Sequence, residues 1–248
     1  MSLHLIELPL ALRDLHLWAG QRRIGGDFDE GLVLHHLLGE VFGASALQPF
    51  RLMVAPDARQ ATLYAYAAAT ADALHAAAIA SLTPGQAALI RLEQLRSIPR
   101  PSTTWKAGQR LGFDVRLRPV VRLHGALAGH TAEGEPVSLS KGAEVDAFLA
   151  RSLRGEESER AAVYLDWLAA RLAPAARLER EATRLASFRR LVVMRKGRRL
   201  EGPDAIVHGT MVVEDPEAFA ALLARGVGRH RAYGYGMLLL RPPQRIQS

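Results

Sequence analysis

Apolar positions along this chain fall into short alternating runs and longer helical stretches, in an order that occurs twice. Residues 3–8 alternate weakly and predict a strand. Asp27-Phe28-Asp29-Glu30 sets an aspartate three residues before a glutamate, the spacing of a capping box with Asp27 as N-cap. Leu34, Leu37, Leu38 and Val41 follow at i, i+3, i+4 and i+7, one face of a helix that Gly43 can end. Residues 49–54 and 61–67 predict two strands around Pro56-Asp57, and residues 72–81 a second helix. Residues 88–98 predict a strand closed by Pro99 and Pro101. The order β-α-β-β-α-β is that of a ferredoxin-like unit.

Pro99-Arg100-Pro101-Ser102-Thr103-Thr104 reads as a linker. Beyond it the element order returns without sequence identity. Residues 111–121 predict a long strand, with Leu111, Phe113, Val115 and Leu117 set against Asp114, Arg116 and Arg118. Residues 144–153 and 160–172 predict helices, 184–194 and 205–213 a hairpin, 216–225 a short helix opened by proline, and 236–240 a last strand. The second half is again β-α-β-β-α-β, with its first helix in two pieces. The expected fold class is therefore α+β, with two tandem ferredoxin-like domains built on antiparallel sheets. Their expected extents are residues 1–101 and 108–243.

Composition fits a folded enzyme or binding module. Hydrophobic residues make up 49 % of 248, enough for a sizeable core. Cysteine is absent, which removes disulfides, thiolate metal sites and cysteine nucleophiles. The first residues carry no basic region followed by an apolar stretch, and no apolar run approaches the roughly 20 residues of a membrane helix, so neither a signal peptide nor a membrane partner is expected. The expected location is the cytoplasm. Net charge is +7, nearly all of it from arginine, since Lys106, Lys141 and Lys196 are the only lysines. A basic chain of this size has polyanions as its default partners.

Three segments could carry chemistry. Gly226-Val227-Gly228-Arg229-His230-Arg231-Ala232-Tyr233-Gly234-Tyr235-Gly236 is a glycine-rich loop whose arginines can pair with phosphates and whose tyrosines can stack on bases. It follows a helix and precedes a strand, the reverse of a dinucleotide fingerprint, and it lacks the lysine of a P-loop. Arg189, Arg190, Arg195, Lys196, Arg198 and Arg199 are six basic residues in eleven with no acid among them, a hairpin tip suited to structured RNA. His35-His36 lies on the first helix. His35 sits at the rim of the apolar face, with Gly31 and Gly39 one turn away on either side, and histidine is the natural acid-base group near neutral pH. His36 and Glu40 could share a metal, but two ligands are too few, so neither a metal nor a cofactor is expected.

These segments resemble the CasE-type endoribonucleases of type I-E CRISPR systems, within the wider RAMP superfamily. The resemblance runs through Leu34-His35 with Leu38 and Phe42, through Phe113-Asp114-Val115-Arg116-Leu117-Arg118-Pro119, and through His208-Gly209-Thr210-Met211-Val212-Val213. It ends in Gly234-Tyr235-Gly236-Met237-Leu238-Leu239-Leu240-Arg241-Pro242. It implies tandem ferredoxin-like domains and metal-independent cutting of a CRISPR repeat hairpin by the ribose 2′-hydroxyl. The family's active-site histidine stands seven residues before a phenylalanine, which counts back from Phe42 to His35. His36 stays open as the alternative. Family members often carry a tyrosine three residues before that histidine; here the position is Leu32, so a phenol would have to come from elsewhere, Tyr233 included. The expected RNA-contacting set is Arg22, Arg23, Lys106, Arg110, Arg116, Arg118, Lys141, Arg189, Arg190, Arg195, Lys196, Arg198, Arg199, Arg229, His230, Arg231 and Tyr233. The expected partners are the repeat RNA and further subunits of a Cascade-like effector complex. Two rivals share the same charge: a non-catalytic RNA-hairpin-binding subunit on this fold, and a basic DNA-binding module.

Overall fold

A computed structural model describes residues 2–22, 29–130, 134–195 and 198–243, with backbone alone for 193–195 and 198–200. The first half runs β1 His4–Ala11, α1 Leu12–Gln21, α2 Glu30–Phe42, β2 Phe50–Val54, β3 Gln60–Ala67, α3 Ala71–Ile79, α4 Pro84–Leu89 and β4 Arg96–Pro99. Its sheet has the order β2-β3-β1-β4, antiparallel at every step. Ile6, Leu8 and Leu10 on β1 bury one face against Val33, Leu34, Leu37, Leu38 and Val41 of α2. That is the period-2 against period-3.6 match that the apolar pattern predicts.

Local chemistry moved several boundaries. The N-cap of α2 is Asp29, whose side chain accepts the Leu32 N–H at 3.0 Å; Asp27 lies outside the described residues. Helix α1 was not predicted, although Leu15, Trp18 and Ala19 bury one face at i, i+3 and i+4. The strand expected over 88–98 is mostly something else. Thr83 and Gln86 form a reciprocal capping box, Pro84 opens α4, and pairing with β1 resumes only at Arg96.

The second half runs β5 Arg110–Leu117, β6 Val120–Arg122, β7 Leu127–His130, β8 Pro136–Leu139, β9 Glu144–Asp146, α5 Ala147–Ser152, α6 Arg160–Leu172, β10 Ala176–Arg195, β11 Arg198–Val213, α7 Pro216–Arg225 and β12 Leu239–Arg241. Its main sheet has the order β10-β11-β5-β12. With β5, β10, β11 and β12 taken as first to fourth strands, this is the order of the first sheet. The tandem ferredoxin-like architecture therefore holds.

The strand expected over 111–121 breaks at Arg118-Pro119, and β6 leaves to pair with β9. The helix expected over 144–153 consequently begins as strand β9. The β7–β8 hairpin was not predicted. In β10, register shifts at Glu179/Arg184 and Leu185/Ser187 scramble the alternation, which hid its first turn-lengths from the pattern. The last strand starts at Leu239, where pairing with β5 begins; Gly236, Met237 and Leu238 lie buried ahead of it.

The halves are packed together. The second half's core takes in Leu3 and Tyr66 of the first. The Tyr66 hydroxyl donates to the Leu238 carbonyl at 3.1 Å. Arg51 on β2 reaches Asp114 on β5 at 3.5 Å, and Asp114 also takes His208 at 2.8 Å. The stretch expected as a linker folds into a turn at Ser102–Thr104, with Trp105 buried edge-on against Phe219. Among the described residues no helix is long and apolar enough to cross a membrane.

Candidate functional site

Helix α2 presents His35 partly buried and His36 exposed, with ring centroids 5.6 Å apart. The two bare positions beside His35 prove unlike each other. A Cβ on Gly39 would meet nothing within 4 Å, so that side is open. A Cβ on Gly31 would lie 2.6 Å from the Tyr233 carbonyl oxygen, so that side is occupied by the glycine-rich loop. The Tyr233 ring then lies 5.1 Å from the His35 ring at a 53° tilt. Folding has brought together two segments nearly two hundred residues apart.

The loop is not the open anion cradle its composition suggests. Gly226, Val227 and residues 234–238 are buried. At Gly228 (φ +76°) a Cβ would sit 2.6 Å from the Trp167 ring, so the backbone passes close to protein rather than to a ligand. Residues Arg231–Tyr233 form a single helical turn between two left-handed residues, His230 (φ 63°) and Gly234 (φ 81°).

The loop's charges face an acid that sequence reasoning missed. Glu144, the first residue of β9, takes the His230 ring at 2.6 Å and Arg229 at 3.2 Å. The hydrogen bond from His230 holds the Glu144 carboxyl below the usual range; burial opposes this, and the charges of His230 and Arg229 reinforce it. Arg231 donates to the Arg225 carbonyl. Nothing in the charge pattern marked Glu144, because its partners lie 85 and 86 residues away.

Two arginines expected to touch RNA are largely enclosed by protein. Arg116 is 14 % exposed in its side chain and donates to Asp204 through Nε (2.6 Å) and Nη2 (2.9 Å). It also lies over the Tyr235 ring, 4.7 Å from its centroid, and 3.6 Å from Glu30 at the start of α2. Burial alone would raise the Asp204 pKa, but the hydrogen bonds and charges of Arg116 and Arg189 hold it down. Burial outweighs Arg116, Arg51 and Arg189 at Glu30, whose pKa is raised. Arg118 is buried against Gly202 of β11.

The other expected contacts scatter. Arg189 spans from Asp204 (2.7 Å) to solvent, and Arg190 touches Glu201 at 3.4 Å. Arg22 pairs with Glu40 at 2.6 Å and lies over Trp18. Arg110 is gripped by both oxygens of Glu179 (2.6 and 2.9 Å), on the same strand as Arg116 but six residues away. Lys106 and Lys141 are exposed. Arg23, Lys196 and the side chains of Arg195, Arg198 and Arg199 lie outside the described residues. The structure thus brings His35, His36, Tyr233, His230 and Arg229 into one neighbourhood. No group of three or more His, Asp or Glu side chains with metal-binding spacing occurs among the described residues.

The same architecture is found in solved structures. The chain is similar to Thermus thermophilus Cse3 bound to an RNA representing a pre-cleavage complex, at 24 % identity and TM-score 0.62, covering 98 % of this chain and 100 % of that one. It is similar to the CRISPR-associated protein Cas6e from Escherichia coli, at 17 % identity and TM-score 0.57, covering 96 % and 99 %. It is also similar to a chain of a pre-nicking CRISPR RNA-guided surveillance complex, at 19 % identity and TM-score 0.51, covering 98 % and 100 %. None of the curated proteins matches by sequence. A family model described as "CRISPR associated protein" matches residues 3–242, and with all but the chain's extremities inside that match, this protein belongs to the CRISPR-associated protein family.

Proposed function

We propose that this protein is a metal-independent endoribonuclease that cuts CRISPR repeat hairpins in precursor transcripts. The observation that carries the reading is the meeting of a partly buried, one-side-open histidine, His35, with the basic loop of the other half. The likeness to Cse3 held with a pre-cleavage RNA supports it. In the proposed reaction the ribose 2′-oxygen attacks the adjacent phosphorus. The O2′–P bond forms, the P–O5′ bond breaks, and the products are a 2′,3′-cyclic phosphate and a 5′-hydroxyl. One proton leaves the 2′-hydroxyl and one arrives at the 5′-oxygen. His35 handles one of these transfers as general acid or base. Because the nucleophile belongs to the substrate, the reaction needs proton transfer and charge stabilisation rather than a metal-activated water.

The two halves, residues 1–101 and 108–243, act together on this reading: the first supplies His35, and the second the loop and the basic hairpin of β10 and β11. Exposed Arg190 and Arg229, with the hairpin tip, grip the stem, and the cut RNA stays bound for a cytoplasmic effector complex. The likeness to a surveillance-complex chain supports that last step.

Cleavage and binding of a repeat-hairpin RNA by His35→Ala and His36→Ala test the assignment. His35→Ala is expected to bind normally and to cut about 10²- to 10⁴-fold more slowly, the usual contribution of a general acid or base. Unchanged cutting by His35→Ala removes it from the chemistry, and loss in His36→Ala alone transfers the role to its neighbour. Rates that survive excess chelator are expected; a chelator-sensitive rate restored by a divalent ion would defeat the metal-independent mechanism. A protein that binds the hairpin and never cuts it would be the non-catalytic subunit instead.

A further inference from the structure

We infer that Arg171, in the last turn of helix α6, forms with Arg229 of the glycine-rich loop a site in which both guanidiniums hold one phosphate of the RNA backbone. This deepens the proposed function and rests on its RNA-binding half alone, not on cleavage. The platform of the site is the Trp167 indole. Its Nε1 donates to the Val120 carbonyl at 2.9 Å, which fixes the ring. The loop crosses that ring at Gly228, where a Cβ would lie 2.6 Å from it. The Arg171 guanidinium stacks on the same ring, 3.6 Å from its centroid. One anchored side chain therefore sets Arg171 beside the backbone that carries Arg229. The two cations feel each other: burial first, then the charge of Arg229, push the Arg171 pKa below its ordinary value.

Arg171 lacks the acid that other arginines of this half have. Asp204 serves Arg116, Glu179 serves Arg110 and Asp146 serves Arg160, whereas among the described residues no carboxylate pairs with Arg171. Its Nη1 donates to the Trp167 carbonyl at 2.9 Å, a bond within its own helix. Its Nε and Nη2 have no protein partner among the described residues and are not closed off from solvent. Stacking occupies the flat face of the guanidinium and leaves these in-plane donors to a ligand. Capping the end of α6 thus accounts for one donor and not for the rest. Arg229 is 57 % exposed, and its 3.2 Å partner Glu144 is also taken by His230 at 2.6 Å. Two permanent cations and one shared carboxylate leave an excess of positive charge that a phosphodiester balances, and guanidinium forks match phosphate oxygens in geometry.

The test uses the intact protein and a repeat-hairpin RNA from a CRISPR array of the same genome, with a 2′-deoxy nucleotide at the cut so that binding is read without cleavage. Arg171→Gln and Arg229→Gln are each expected to bind about tenfold more weakly, the loss of one charged hydrogen-bond partner. The double variant is expected to fall short of the roughly hundredfold loss of independent contacts. It is also expected to lower the slope of log affinity against log salt by about 1, because one phosphate is shared. A neutral methylphosphonate is then moved along the strand. At one position it is expected to weaken the wild type by more than about tenfold, Arg171→Gln by less, and the double variant not at all. Wild-type affinity in Arg171→Gln overturns the inference. A hundredfold loss in the double variant with a slope change of about 2 also overturns it, since the arginines then hold separate phosphates. If Arg171→Gln melts lower, the methylphosphonate series still decides: sensitivity equal to wild type at every position makes Arg171 structural. If the wild type binds the hairpin and never cuts it, the ribonuclease reading falls and this site stands; if it does not bind the hairpin, both fall.

Discussion

Arg116 and Asp204 meet as a fork-to-fork pair inside the second sheet, with Nε at 2.6 Å and Nη2 at 2.9 Å from the two carboxylate oxygens. The pair joins the middle of β5 to the part of β11 where the long hairpin leaves the sheet. Glu30 and Tyr235 complete its surroundings, so one guanidinium connects the start of the histidine helix, the glycine-rich loop and the hairpin base.

Removing one member of this pair strands the other. Asp204→Ala leaves a mostly buried guanidinium without its carboxylate and is expected to destabilise the fold by about 3–5 kcal/mol, whereas a joint Arg116→Met/Asp204→Leu replacement is expected to cost much less. Urea unfolding of the single and double variants measures this. A single variant as stable as wild type would show that the pair contributes nothing to the fold.

Acid should unfold the protein through carboxylates held below their ordinary values. Asp204 and Glu144 are both depressed, so each contributes stability that is complete above its unfolded pKa and is lost as pH falls through its lower folded one. The contribution of these two groups is expected to be level from neutral pH down to about 5 and to fall below about 4, given ordinary carboxylate values near 3.9 and 4.3. Glu144→Gln should flatten part of that fall. Denaturant midpoints across this range decide it; an identical acid limb in Glu144→Gln would remove Glu144 from the account.

Gly228 answers for the loop's packing rather than for RNA. Its φ of +76° and the Trp167 ring at 2.6 Å from a would-be Cβ leave no room for a side chain. Gly228→Ala is expected to lower stability by about 1–3 kcal/mol, the usual range for such backbone strain. If the loop were instead an open phosphate cradle, the substitution would spare melting and weaken RNA binding alone.

Salt dependence separates free arginines from committed ones. Among the described residues Arg190 holds a single 3.4 Å contact with Glu201, while Arg110 is gripped twice by Glu179. Arg190→Gln is expected to lower the slope of log affinity against log salt by about 1, the value for one phosphate contact, and Arg110→Gln by much less. Equal slopes in the two variants would place both side chains on the RNA, or neither.

Some of this was legible before any coordinates. Period-2 and period-3.6 runs announced β1, α2, α6 and α7, and they did so because each element buries one face against a core. Element order followed from them, and with it the repeated sheet order. Boundaries failed where a local bond outweighed periodicity: the Thr83–Gln86 capping box turned an expected strand into α4, and Arg118-Pro119 split β5 from β6. His35 was legible as the rim of an apolar face. The charged residues were not, because arginine looks alike on a page whether it is exposed like Arg190 or enclosed like Arg116.

The sequence by itself determined the α+β class, the doubled strand–helix order, the cationic balance and the candidate histidine, since each depends on residue type and on neighbours within a few positions. Only the tertiary structure decided that Tyr233 stands against His35, that Glu144 holds the loop's charges, and that Arg116 and Arg118 are internal. Those relationships join residues dozens to hundreds of positions apart. They are set by which sheet faces and helix ends come into contact, a choice made by packing between the halves and carried by no local pattern.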